Sequence, residues 1–92
     1  MEFKVEIVLP DPGRDPELGE LLVEGFVAAG YDAVAHQDLA VGEADVVLRL
    51  SADDAASASQ SAIAVLKSID TSQPLVPTAI HVCAAEPEPR AA

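Results

Sequence analysis

Apolar and polar residues alternate from Phe3 to Leu9, with Phe3, Val5, Ile7 and Leu9 on one side and Lys4, Glu6 and Val8 on the other. A period of two predicts a half-buried strand. Pro10, Asp11, Pro12 and Gly13 end it in a loop. From Asp15 the period changes. Asp15 supplies a capping carboxylate, Pro16 fits the first helical position, and Glu17 suits the positive end of the helix dipole. Leu18, Leu21, Leu22, Gly25, Phe26 and Ala29 recur at helical spacing, and Gly30 stands where a left-handed C-terminal residue is wanted. The pattern predicts a helix over 16–29, with Glu17, Glu20 and Glu24 turned away from its apolar stripe.

Two strands come next. Tyr31 to Asp38 places Val34 and His36 on one face and Ala33 and Ala35 on the other. Ala44 to Leu50 places Val46, Leu48 and Leu50 opposite Asp45, Val47 and Arg49. The short link Ala40-Val41-Gly42-Glu43 predicts an antiparallel hairpin. Ser51-Ala52-Asp53-Asp54 has the spacing of a capping box with Asp in place of Glu or Gln. Ala55, Ala58, Ala62, Val65, Leu66 and Ile69 then form a second helical stripe, widened by Ile63. A loop over 71–77 leads to a last strand, Thr78 to Ala84, with Ile80 and Val82 opposite Ala79, His81 and Cys83. Residues 86–92 have no apolar pattern and read as a disordered tail.

The order strand, helix, strand, strand, helix, strand predicts one α+β domain over 1–85. The expected form is a ferredoxin-like βαββαβ two-layer sandwich, a four-stranded antiparallel sheet with both helices on one face. That fold carries many unrelated functions, so it constrains function little. It does leave one sheet face uncovered. Alternation assigns Lys4, Glu6, Val8, Asp45, Val47, Arg49, Ala79, His81 and Cys83 to that face, with Val34 and His36 joining from an edge strand. Solvated faces of antiparallel sheets are usually more polar than this. Val8, Val34, Val47, Ala79 and Cys83 are therefore the expected interface residues, covered by a second copy or by another protein. The plain alternative is that valines stand there for β-propensity alone.

Composition narrows the partners. The 92 residues suffice for one domain, and the core is rich in Ala, Val and Leu with no Trp, one Tyr and two Phe. Sixteen acidic against five basic residues give a formal net charge of -11. A chain of that sign is repelled by nucleic-acid phosphates and by anionic membrane surfaces. The single cysteine, Cys83, cannot form an internal disulfide, which fits a reducing, cytoplasmic setting. No apolar run approaches the ~20 residues of a membrane-spanning helix, and the N-terminus lacks the basic region of a secretory signal.

Candidate chemistry is sparse. His81 and Cys83 are two apart on one strand, but a zinc site needs three or four ligands, and His36 is expected at the far edge. A thiol beside an imidazole is a possible nucleophile, although a lone strand cysteine is more often a packing residue. No phosphate-binding glycine loop, C-x-x-C pair or H-E-x-x-H helix occurs, so no cofactor or metal is expected. Glu6, Arg49 and His81 lie on neighbouring strands and form the candidate ligand-binding group. Its simpler reading is cross-strand charge pairing. The acidic residues Glu17, Glu20, Glu24, Asp11, Asp15, Asp32 and Asp38 offer a further reading, an inhibitor or immunity-type surface for a basic protein. The leading expectation is a non-catalytic interaction or regulatory module that self-associates through its open sheet face. A small dimeric enzyme or ligand-binding protein is the second expectation.

Overall fold

A computed structural model of the chain describes residues 1–69 and 75–85. The expected tail over 86–92 and part of the 71–77 loop lie outside the described residues. The elements are β1 (Glu2–Pro10), α1 (Leu18–Ala28), β2 (Asp32–Asp38), β3 (Glu43–Ser51), α2 (Ala55–Ser68) and β4 (Ala79–Ala84). The strands form one sheet in the order β2-β3-β1-β4, and every neighbouring pair is antiparallel. The protein is an α+β sandwich of two layers with β1 and β3 at the sheet centre.

The alternation read from the sequence sets which side is covered. Phe3, Val5, Ile7 and Leu9 of β1 and Ala44, Val46, Leu48 and Leu50 of β3 are buried. They share one cluster with Leu18, Leu22 and Phe26 of α1 and Ala58, Ala62 and Leu66 of α2. Both helices therefore lie on the same face. Ile80 and Val82 of β4 point into this core but stay half-buried. β4 is an edge strand, and α2 offers it mostly alanines, which cover little area.

The helix starts differ from local expectation. The segment Asp15-Pro16-Glu17 is a turn before α1: the Glu17 amide donates to Asp15 Oδ1 at 2.9 Å, and the Leu18 amide donates to the Asp15 carbonyl at 3.2 Å. The first turn of α1 is capped from the sheet. Gln37 Oε1 accepts from the Gly19 amide at 2.9 Å, and Gln37 Nε2 donates to the Asp15 carbonyl at 2.6 Å. A Cβ at Gly19 would come within 2.9 Å of that Oε1, so glycine is what admits the cap. Gly25 faces Ile69 at the end of α2. α1 ends as expected: Gly30 has φ +95, its amide donates to the Val27 carbonyl, and the Tyr31 amide donates to the Phe26 carbonyl. Those two bonds define the Schellman motif.

The cap of the second helix lies three residues beyond the Ser51 cap read from the sequence. Ser51 is the last residue of β3, paired with Glu2, and Asp54 caps α2 by accepting from the Ser57 amide at 2.7 Å. With Ser51 held in the sheet, Asp54 is the cap that remains. The backbone hydrogen bond from Ser57, followed by the bond from the Ser57 side chain, holds the exposed Asp54 carboxyl below the ordinary aspartate range. A depressed folded-state value gives stability that is present above the unfolded value and is lost as pH falls through the folded one. Asp54→Ala should therefore melt below the native protein at pH 7. The gap between the two should close as the pH is lowered from about 5 into the acid range, a trend that thermal melts at a series of pH values would read directly.

Candidate interface on the open sheet face

The register sorts the uncovered face into three rows across the strands β2, β3, β1 and β4. The first is Asp32, Arg49, Lys4 and Cys83. The second is Val34, Val47, Glu6 and His81. The third is His36, Asp45, Val8 and Ala79. Every residue assigned to this face from alternation is on it. The reason is parity: once Val5 and Leu48 point inward, a register slip by one residue would bury Lys4 or Arg49.

Apolar side chains concentrate in two adjoining rows. Val34 is 68% exposed, its neighbour Val47 is half-buried, and so are Val8 and Ala79 in the next row. Cys83 is exposed. Charge on the three rows is close to balanced, with Lys4 and Arg49 against Glu6, Asp32 and Asp45, and both histidines stand among them. The rest of the acidic load lies elsewhere, with Glu17, Glu20 and Glu24 exposed on and beside α1. Of the carboxylates read as one acidic surface, Asp11 does not belong to it. It is fully buried, because it follows Leu9 in inward parity at the end of β1.

The candidate ligand group is only partly assembled. Glu6 and His81 are direct cross-strand neighbours. Arg49 stands one row away, opposite Lys4 and Asp32, and pairs with Glu2 at 3.6 Å. Both partners of that ion pair are half exposed, so it contributes little to stability. A shallow depression of about 380 Å³ curls round β2 from Arg49 and Val47 to Val27 of α1. Arg49 lines it, but Glu6 and His81 do not. His36 is in the third row on β2 and His81 in the second row on β4, with two strands between them. No group of three or more His, Cys, Asp or Glu side chains converges on a metal-sized site among the described residues.

The sequence reading missed Asp11 and Gln37. Asp11 binds the loop after β1 to the β2–β3 hairpin. Its amide donates to the Gly42 carbonyl at 2.7 Å, its carbonyl accepts from the Arg14 amide at 3.0 Å, and its Oδ1 accepts from the Asp15 amide at 3.2 Å. Parity was the available signal for both: Gln37 shares a face with Ala33 and Ala35, and Asp11 with Leu9. A polar residue at an inward position near a strand end is a cap or a tie.

No protein-family model, curated protein or solved structure matches this chain.

Proposed function

We propose that this chain is a non-catalytic interaction or regulatory module of ferredoxin-like architecture that pairs with a second copy through its open sheet face. The strand order, read from the β4 edge, is β4-β1-β3-β2, the order expected when two β-α-β units interleave their strands. The observation that carries the interaction reading is the adjoining Val34 and Val47, with Val8 diagonal to Val47 and Ala79 beyond it, on a face with nearly balanced charge. Apolar surface of this kind on a protein otherwise dominated by carboxylates is best accounted for by burial against another surface. A second copy supplies that surface without bringing the acidic helix side into contact.

The ligand-binding reading needs Glu6, Arg49 and His81 to converge, and the ion pair to Glu2 draws Arg49 the other way. Self-association is therefore the better-supported reading. At tens of micromolar the native protein should elute as a dimer in size-exclusion chromatography with light scattering. Val47→Glu should elute as a folded monomer, since it sets a carboxylate at the centre of the apolar patch in each copy. A native protein that is monomeric at that concentration would remove the reading.

A further inference from the structure

We infer that the two copies pack face to face about a two-fold axis that runs across the strands through Val47, so that Arg49 of each copy lies over Asp45 of the other. This rests on self-association through the open face and adds its geometry. A two-fold axis along the rows keeps each strand over its own copy and exchanges the first row with the third. Val47 then meets Val47 and Val34 meets Val34, which buries the most exposed apolar side chain of the face. Arg49 meets Asp45, and Asp32 meets His36. The acid–base pairs fall at symmetric places on both sides of the apolar row.

The alternative axis, running along the strands between β1 and β3, sets Lys4 over Arg49 and Val8 over Asp45. That arrangement opposes like charges and buries a carboxylate against a valine. Electrostatic complementarity chooses between the two, since like-charge contacts across an interface are strongly penalised. Aligned sheets pack with strands rotated by about 30°. A rotation of that size about Val47 shifts the outer side chains by a few ångströms, within the reach of an arginine.

The four strands have nine, seven, nine and six residues. At about 3.4 Å per residue and about 4.8 Å between strands they cover a projected area of roughly 500 Å², near the lower bound of about 1,000 Å² in total for a specific interface, so the dimer is expected to be weak. Two contacts oppose the arrangement: Lys4 lies over Val8, and Glu6 meets Glu6, with His81 beside each. Glu6→Gln should therefore tighten the dimer several-fold.

The test uses the spacing of Arg49 and Asp45 within one chain. They are four residues apart on one strand, about 13 Å, and so have no direct contact within a copy. Arg49→Asp and Asp45→Arg should each weaken self-association tenfold or more, because each variant opposes like charges at two symmetric places. Mixed in equal amounts, the two variants should form a heterodimer in which both contacts are attractive, and the double variant should associate within about threefold of the native protein. Sedimentation velocity on the separate and mixed samples reads this, with circular dichroism confirming that each is folded. If native self-association is abolished by Val47→Glu but the mixture stays monomeric, the open face is still the interface and the two-fold arrangement is overturned. If the native protein does not self-associate at all, self-association itself falls.

Discussion

Phe26→Ala should remove more than half of the protein's stability to unfolding. Phe26 is fully buried and belongs to the one cluster that joins both helices to β1 and β3. Its carbonyl also receives the Tyr31 amide that closes α1. Truncating a buried phenylalanine costs about 3–5 kcal/mol, from lost transfer energy together with the cavity left behind. A chain of this length has about 5–14 kcal/mol of total stability, and an alanine-rich core puts it toward the lower part. Urea titration followed by circular dichroism should show a midpoint lowered by more than half with an unchanged slope. A midpoint moved by only a few tenths of a molar would mean that α1 does not anchor the core.

Asp11→Ala carries the second large effect, and it acts at a different place. Asp11 sits where the β1–α1 loop crosses the β2–β3 hairpin. Its backbone holds Gly42 and Arg14, and its side chain holds the Asp15 amide. Gly42 has φ +78, and a Cβ there would stand 3.1 Å from the Asp11 carbonyl oxygen, so the two loops touch backbone to backbone. Removing the carboxyl leaves the part-buried Asp15 amide without its acceptor, at about 1–3 kcal/mol. Asp11→Asn keeps an acceptor oxygen and should recover most of that loss. Chemical denaturation of the two variants beside the native protein checks the order, and equal losses would show that acceptance at Oδ1 is not what Asp11 contributes.

These two residues mark the limits of what the sequence made legible. The Phe26 stripe, the alternation of β1 and β3, the hairpin and the Gly30 cap all follow from short-range periodicity and from backbone conformations only glycine adopts readily. Each was readable because one local cause decided it. The composition of the open face was readable for the same reason, since parity alone separates Val47 from Leu48. What parity cannot give is which residue sits opposite which. Arg49 was grouped with Glu6 and His81, yet the pairing of β1 with β3 sets it opposite Lys4. That register is chosen by how the whole core fits together. The cap of α2 shifted from Ser51 to Asp54 for a related reason: β3 runs to Ser51 because Glu2 is there to pair with it. Gln37 caps a helix through the amide of Gly19, 18 residues earlier, a tie that only the folded sheet brings about.

The interaction reading turns on the side of the sheet opposite the helices, and a dilution series reads that side residue by residue. Methyl-labelled protein diluted from about a millimolar to a few micromolar should show the methyl signals of Val34, Val47 and Ala79 moving together along one binding curve. Val23, on α1 beside Glu20 and Glu24, should stay fixed. Movement at Val23 and the rest of α1 with the sheet valines unchanged would place the contact on the acidic side and contradict the account.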